Sequence, residues 1–345
     1  MGRRTRIIVT LGPRSWDSRT IKSMIAAGAD IVRLNLSFAK SEQHYAFLAK
    51  VVRHVRETGA NFGKTVTIMV DCPGHKFRLR QFAEREVHVG DMVELSADDK
   101  TNGALPFPYR KLLSKMQVGQ EVLIADGQPR FKITRTDAGK VIGEITLGGF
   151  LEPDKGLTVR GLKISSLNLP ALSKADKRGL QFAVDVGAEE VVMSYGTSAK
   201  QTLSFSDYYR RLGGKGKIRV KIELEEAVER VEEVAAVSDG GLVGQGDLGL
   251  SVSHQRVVTA GTKVVRTYLQ AGKPCYVGTQ LGTSMKQNPF LTHGETAGIF
   301  YWVYTRADGL MVSDETSMGK HPVRVVEALD ATIREAESFF SNSPA

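Results

Sequence analysis

The chain has 345 residues, of which 41% are hydrophobic and 25% are charged, and its formal net charge is +9. This length and apolar content suit one large domain, with or without an insertion, around a sizeable core. No apolar run could cross a bilayer and no signal-peptide pattern opens the chain, so we expect a cytoplasmic protein that does not enter a membrane. Lysines and arginines are scattered, which argues against nucleic acid as a partner and favours a small anionic substrate or simply a well-solvated basic surface.

The first part of the chain alternates short apolar runs with helical patterns. Strands are predicted at residues 6–11, 31–36 and 65–70, and helices near 20–27 and 42–56. The third strand is almost wholly apolar and β-branched, which is typical of a strand that is buried on both faces. Cys72 follows it and Cys275 lies in a later predicted strand, so we expect both to be reduced structural thiols.

Between about residues 80 and 163 the helical periodicity disappears. Short alternating segments predict strands at 87–95, 121–124, 130–134 and 141–146, separated by glycine turns. A stretch of this length exceeds an ordinary loop, and insertions at the ligand end of an α/β domain often act as lids. We therefore expect an inserted all-β lid domain at 80–163, between barrel segments at 1–79 and 164–345.

Helical rhythm returns at Ser173, a good N-cap with Asp176 three residues later. The strands predicted after it are 189–194, 218–223, 240–243, 275–279 and 309–312, with helices near 198–212, 225–237, 254–271, 295–304 and 323–339. With the first three strands these make eight strand and helix pairs. That pattern predicts an α/β fold, a (β/α)8 TIM barrel with the inserted all-β lid.

A lysine and two carboxylates follow neighbouring predicted strands. Lys221 and Glu223 end one strand, and Asp247 lies just after the next, within a glycine-rich run. Adjacent parallel strands place such residues side by side at the ligand-binding end of the barrel. Two carboxylates with few other protein ligands suit a magnesium or manganese ion that keeps waters, and the glycines let backbone N–H groups approach an anion.

Other strand ends are expected to bring further polar residues to the same end of the barrel. These residues are Arg33, Asn35 and Ser37 after strand two, Asp71, Lys76 and Arg78 after strand three, and Thr279 after strand seven. Cationic side chains, a pair of carboxylates that could bind a metal ion, and a hydroxyl together indicate phosphoryl or enolate chemistry. The alternatives are that Arg33 with Asp71, and Lys221 with Glu223, are structural ion pairs.

Several motifs occur in a fixed order along nearly the whole chain. They are Thr10-Leu11-Gly12-Pro13, Arg33-Leu34-Asn35-Leu36-Ser37, Asp71-x-x-Gly74-x-Lys76-x-Arg78, Lys221-Ile222-Glu223, Gly246-Asp247-Leu248-Gly249, Thr279-Gln280 and Ser313-x-Glu315-Thr316-x-x-Gly319-Lys320-x-Pro322. In this order they resemble the pyruvate kinase family. The chain ends soon after the eighth predicted barrel helix, so we expect it to lack the regulatory C-terminal domain of that family and to be a divergent member.

The resemblance implies catalytic roles for three residues. Lys221 would stabilise the moving phosphoryl group, Arg33 would hold that phosphate, and Thr279 would lie near the enolate carbon. Glu223 and Asp247 would bind Mg²⁺ or Mn²⁺, which bridges the substrate oxygens and the phosphate.

Substrate and nucleotide contacts are implied in the same way. Backbone N–H groups of Gly246 and Asp247 would take the substrate carboxylate, and Ser194 is assigned to the same substrate together with Arg33. The nucleotide would be contacted by Arg78 and, from the lid, by Asp126 and Lys155.

The resemblance also bears on a monovalent cation. In many family members, residues matching Asn35, Ser37 and Asp71 cradle potassium. Members that do without potassium tend to have lysine at the position of Lys76, whose ammonium stands in for the ion. We therefore expect that K⁺ is not required.

Several positions depart from the family pattern. Phe38-Ala39 replaces His-Gly, Gln245 replaces the arginine before Gly-Asp-Leu-Gly, and Met318 occupies a place that often holds a nucleotide-contacting lysine. Further departures lie at Gly196-Thr197, at Leu291–Glu295 and in the aromatic run Ile299–Trp302. These changes leave open whether ADP or ATP is a partner and argue against the usual tetramer, although another homo-oligomer is possible.

Three functions therefore stay open at this stage. The first is metal-dependent phosphoryl transfer between phosphoenolpyruvate and a nucleoside diphosphate through a pyruvate enolate. The second is a recruited relative that uses the metal and enolate part of this chemistry on a 2-oxo acid, as an aldolase, lyase, decarboxylase or phosphoenolpyruvate-using transferase. The third, a degenerate binding protein, is disfavoured because an unused site has no physical reason to keep several ionisable groups together.

Overall fold

The computed structural model describes residues 2–98, 103–137 and 139–342. The first part of the chain forms three strands and two helices. They are β1 (Arg6–Thr10), α1 (Ser18–Ala26), β2 (Ile31–Asn35), α2 (Glu42–Asn61) and β3 (Thr67–Asp71). All five predicted elements are confirmed, and α2 extends about one turn beyond its predicted end.

A separate β-structure follows β3. Its elements are β4 (Arg85–Val87), β5 (Met92–Ser96), β6 (Leu105–Pro106), the short helix α3 (Arg110–Leu113), β7 (Glu121–Ile124), β8 (Arg130–Asp137), β9 (Lys140–Leu147), β10 (Gly149–Leu151) and β11 (Leu157–Val159). Six of the strands form one sheet in the order β11-β7-β8-β9-β5-β6, and β10 pairs with β4. This sheet has its own hydrophobic core, which includes Phe107, Phe131 and Leu157.

The prediction of one strand over 87–95 is wrong. The chain turns at Gly90, whose φ of +93° is in the region that favours glycine. Consequently β4 pairs with β10, whereas β5 pairs with β9 in the larger sheet. The strands β6, β10 and β11 were not predicted, because two or three residues are too few to show a periodicity. We propose the boundaries 1–79, 80–163 and 164–345 for the domains.

The rest of the chain alternates strands and helices. The elements are α4 (Lys174–Asp185), β12 (Glu190–Met193), α5 (Ala199–Arg211), β13 (Lys217–Ile222), α6 (Glu225–Glu229), α7 (Val231–Val237), β14 (Gly240–Gly244), α8 (Gln245–Ser251), α9 (Val257–Gln270), β15 (Cys275–Gly278), α10 (His293–Tyr304), β16 (Gly309–Val312), α11 (Asp314–Ser317) and α12 (Pro322–Asn342). The single helix predicted over 225–237 is wrong, since the backbone leaves helical geometry at Arg230 (φ −113°, ψ 20°).

Eight parallel strands close into a barrel in the order β1-β16-β15-β14-β13-β12-β3-β2. The lumen is filled by apolar side chains, namely those of Ile8, Ile31, Met69, Val192, Leu242, Tyr276 and Met311. The structure is therefore a (β/α)8 barrel with an inserted lid domain, as predicted. The carboxyl ends of all eight strands meet at one end of the barrel, which we call the mouth.

Two further observations complete the fold. Cys72 and Cys275 are buried and free, as expected of structural thiols. Among residues 2–98, 103–137 and 139–342, no helix is both long and apolar enough to cross a membrane.

Asp176 connects the start of α4 with the loop that leads from β3 toward the lid. Its Oδ2 accepts hydrogen bonds from the Ser173 N–H (2.8 Å) and hydroxyl (2.7 Å), which completes the predicted capping box. Its Oδ1 accepts a hydrogen bond from the Gly74 N–H at 2.8 Å. One buried carboxylate thus caps a helix and holds the loop that contains Lys76.

Asp176→Ala is therefore expected to lower the free energy of unfolding by about 3 kcal/mol, because a cap is lost and a partly buried N–H loses its acceptor. Urea denaturation would measure the change. Asp185→Ala removes an exposed carboxylate at the other end of α4 and is expected to change stability little. Equal losses in the two variants would contradict this role of Asp176.

Candidate active site

A continuous row of buried charges crosses the mouth of the barrel. Arg33, near the end of β2, contacts Asp71 at the end of β3, with its Nε and Nη2 at 2.8 and 2.7 Å from Oδ2. Lys221 Nζ, on β13, lies 2.9 Å from the same Oδ2 and 3.4 Å from Glu223 Oε1. Strand register brings these residues together, although Arg33 and Glu223 are far apart in sequence.

The charges in this row stabilise one another. Burial alone would raise the pKa of Asp71, but the Lys221 and Arg33 cations outweigh it and hold that pKa below its ordinary value. Burial would likewise lower the pKa of Lys221, yet the carboxylates of Asp71 and Glu223 raise it above its ordinary value. The lysine therefore stays an ammonium group although it is almost fully enclosed.

Arg33 and Asp71 also contact hydroxyl groups. Arg33 Nη1 donates to Thr10 Oγ1 at 2.9 Å and to Ser313 Oγ at 3.3 Å. Asp71 Oδ1 accepts a hydrogen bond from Ser194 Oγ at 3.0 Å. Ser194, which was assigned to the substrate, is thus joined to the charged row, whereas Thr10 and Ser313 were not among the predicted site residues. Both lie inside quoted motifs, at strand ends, and that position is the signal that could have found them.

The two predicted metal ligands lie on neighbouring elements. Glu223 directly follows β13, and Asp247 is in the first turn of α8 rather than at the end of β14. Burial raises the pKa of Glu223 to about 7; the Lys221 cation opposes this, and the Asp247 carboxylate adds to it. Lys76 Nζ contacts Asp247 Oδ1 at 2.8 Å, and although burial favours a raised value, this cation holds the pKa of Asp247 below its ordinary range.

This donor set fits a divalent metal ion of the magnesium or manganese type. Glu223 is buried and Asp247 is partly buried. Their carboxylates repel each other, and a cation between them would relieve that repulsion. Within the described parts of the chain, no three His, Cys, Asp or Glu side chains are grouped as metal ligands. A metal held by Glu223 and Asp247 would thus have coordination positions left for substrate oxygens and water.

Thr279 contacts the glycine run that contains Gly246. The Gly246 N–H donates to Thr279 Oγ1 at 2.8 Å, so this N–H, predicted to bind a substrate carboxylate, has a partner within the chain. Thr279 and Gln280 have φ values of +68° and +56°, which are strained for residues other than glycine. Gln245 Nε2 donates to the Thr279 carbonyl at 2.7 Å. Such strain is typical of functional sites.

Tyr195, which was not predicted as a site residue, contacts both carboxylates. Its backbone N–H donates to Glu223 Oε2 at 3.1 Å, and its phenol lies beside Asp247. Burial and the neighbouring Asp247 and Glu223 charges raise the pKa of this phenol well above its ordinary value. A lone tyrosine after Ser194 gives no sequence signal for this position.

The predicted nucleotide residues have local partners. Arg78 Nη1 donates to the Asp154 carbonyl at 2.9 Å, and Lys155 Nζ lies 3.1 Å from Glu152. Asp126 is exposed in the turn after β7. The pKa of Lys286, in the barrel, is raised mainly by its hydrogen bond to Asp314, and the negative charge of Asp126 adds to this. These residues are not joined to the buried row by any hydrogen bond described in the structure.

The residues predicted to form the monovalent-cation site have separate partners in the structure. Asn35 Oδ1 accepts a hydrogen bond from the Ser37 N–H at 3.1 Å, while Asp71 is paired with Arg33 and Lys221. Lys76 contacts Asp247, not Asp71. The role of Lys76 as a potassium substitute therefore stays a prediction.

The chain is similar to known proteins over most of its length. A family model described as the pyruvate kinase barrel domain matches residues 2–326. The chain belongs to the pyruvate kinase family. The pyruvate kinase of Mycobacterium intracellulare is 29% identical and is aligned with 100% of this chain and 72% of its own length. Those of Corynebacterium efficiens and Haemophilus influenzae are each 30% identical, covering 98% and 97% of this chain and 71% and 70% of the relatives.

Two departures from the family pattern lie on the surface. Phe38 is 64% exposed after β2, and Met318 is 56% exposed after α11. Neither side chain can supply a charge to a phosphate. The charged row and the carboxylate pair are present in this chain, whereas Phe38 and Met318 are apolar.

Proposed function

We propose that the protein catalyses metal-dependent phosphoryl transfer between phosphoenolpyruvate and a nucleoside diphosphate through a pyruvate enolate. The observation that supports this proposal most is the row from Arg33 through Asp71 and Lys221 to Glu223, with its contacts of 2.7 to 3.4 Å. Phosphoryl transfer depends mainly on positioning and on preorganised positive charge, and this row of residues supplies both.

Each cation has a distinct part in the proposed reaction. Lys221 stabilises the phosphoryl group during its transfer, and Asp71 holds its ammonium in place. Arg33 binds the same phosphate, with the plane of its guanidinium set by Asp71 and Thr10. Because both cations are buried, their attraction for phosphate oxygens is weakened little by solvent.

Glu223 and Asp247 are the residues that would hold Mg²⁺ or Mn²⁺. When bound there, the metal supplies positive charge to the substrate oxygens and the phosphate. Thr279 lies beside the carboxylate pair through its bond to Gly246, and we propose that it helps water to protonate the enolate carbon. Arg78, Asp126 and Lys155 are proposed nucleotide contacts, because they lie in or beside the lid.

Calorimetric titration with magnesium present would test this function, using ADP and, separately, phosphoenolpyruvate and pyruvate. A coupled assay for ATP formation follows. Binding of both substrates with turnover supports the kinase reaction. Failure of phosphoenolpyruvate to bind would contradict it.

A second candidate is enolate chemistry on a 2-oxo acid with a partner other than a nucleotide. The exposed Phe38 and Met318 favour it, because neither can contact nucleotide phosphates through a charge. Binding of the three-carbon acids without ADP binding would favour this candidate over the first.

Potassium is expected not to be required. The Lys76 ammonium already places a fixed positive charge 2.8 Å from Asp247 in the site. Replacing tetramethylammonium with K⁺ at constant ionic strength is expected to change kcat by less than about twofold, since no additional charge is needed. A strong rise in the rate with K⁺ would contradict this expectation.

A further inference from the structure

Tyr195 has an unusual backbone conformation at the mouth of the barrel. It lies just after β12, and its φ of +56° is in the left-handed region. For a residue other than glycine this conformation costs on the order of 1–3 kcal/mol, and it persists only where the surroundings hold it. This conformation directs the backbone N–H and the phenol of Tyr195 toward the carboxylates of Glu223 and Asp247.

Those two groups contact different carboxylates. The N–H donates to Glu223 Oε2 at 3.1 Å, and the phenol lies beside Asp247. Lys76 Nζ, which also contacts Asp247, lies 6.0 Å from the centre of the tyrosine ring. Tyr195 thus lies against both carboxylates, with its backbone N–H on Glu223 and its phenol beside Asp247.

The ring is held from two sides. A Cβ atom built on Gly74 would lie 2.9 Å from Tyr195 Cδ2 and 2.6 Å from the Ser194 carbonyl oxygen, so the glycine allows a close approach of the loop to the ring. On another side the ring lines a cavity of about 40 Å³ together with Phe77, Leu157 and Leu224. This packing limits displacement of the whole ring and therefore movement of the hydroxyl.

We propose that Tyr195 is a positioning residue that holds Glu223 and Asp247 at the spacing needed to bind a divalent cation together. The inference rests on the metal-binding part of the proposed function. Groups that hydrogen-bond to metal ligands orient those ligands, and their removal commonly weakens metal binding by one to two orders of magnitude.

Y195F tests this role, because it removes the hydroxyl and keeps the ring that lines the cavity. Mn²⁺ is titrated into the substrate-free wild-type protein and into the variant by calorimetry, and circular dichroism checks the fold. We expect the variant to bind Mn²⁺ about tenfold more weakly. In the kinase assay, its kcat is expected to recover at saturating Mn²⁺, with a raised KM for the metal.

Y208F is the matched control. Tyr208 is a partly buried tyrosine on α5 that contacts Lys177 and Arg211. Removal of the Tyr208 hydroxyl is expected to leave the Mn²⁺ affinity of the protein unchanged. A Y195F affinity within twofold of wild type, or an equal loss in Y208F, would overturn the positioning role and leave the metal pair intact. Absence of Mn²⁺ binding by the wild-type protein would overturn the metal pair as well.

Discussion

Asp247→Ala is expected to abolish Mn²⁺ binding and to lower kcat/KM for phosphoryl transfer by at least about 10³-fold. Asp247 is one of only two carboxylates proposed as metal ligands, so its removal leaves Glu223 as a single protein ligand. Lys76 would also lose its partner at 2.8 Å, which leaves an uncompensated cation in the site. Calorimetry with Mn²⁺ and the coupled assay would measure the two losses.

Asp207→Ala is a suitable control for this experiment. Asp207 is an exposed carboxylate on α5, outside the mouth of the barrel. Its removal changes the net charge by the same amount, and both metal binding and turnover are expected to stay at wild-type values. Mn²⁺ binding that survives in Asp247→Ala would show that the metal is held elsewhere.

Lys221→Met is expected to lower kcat by about 10³-fold while Mn²⁺ still binds. The variant keeps the length of the side chain and removes the charge that is proposed to stabilise the transferring phosphoryl group. Metal binding is expected to persist, because Glu223 and Asp247 are unchanged. The two variants therefore separate loss of the metal from loss of the cation, although both lose turnover.

Stability must be measured with this variant, because Lys221 is paired with two buried carboxylates. Its Nζ lies 2.9 Å from Asp71 and 3.4 Å from Glu223. Loss of one partner from a buried pair costs about 3 kcal/mol, and Arg33 and Ser194 still satisfy Asp71. Urea denaturation would show that the variant is folded under assay conditions.

Lys263→Met is the matched control for the lysine. Lys263 is exposed on α9, where it pairs with Glu232 at 3.3 Å. An exposed pair contributes less than about 1 kcal/mol, so neither stability nor turnover should change much. Near-full activity of Lys221→Met would contradict the role that we propose for this residue.

Local patterns were sufficient to predict the barrel. Most of its strands are short apolar runs. Helix starts are local too, as at Ser173, whose capping partner Asp176 is three residues away. Features that depend on two or three residues were missed, including β6 and β10 of the lid and the helix break at Arg230. In such short segments the pairing strand, not the local sequence, decides the structure.

The sequence by itself determined which residues reach the mouth, because the carboxyl ends of parallel barrel strands lie together whatever their separation along the chain. Only the tertiary structure decided their partners: Lys76 on Asp247, the Gly246 N–H on Thr279, and Tyr195 across Glu223 and Asp247. These contacts depend on backbone angles at positive φ and on side-chain packing between distant segments. Neither property is encoded in the spacing of residue types. Arg33, Asp71, Lys221, Glu223 and Asp247 could therefore be named in advance, whereas Tyr195 and these contacts could not.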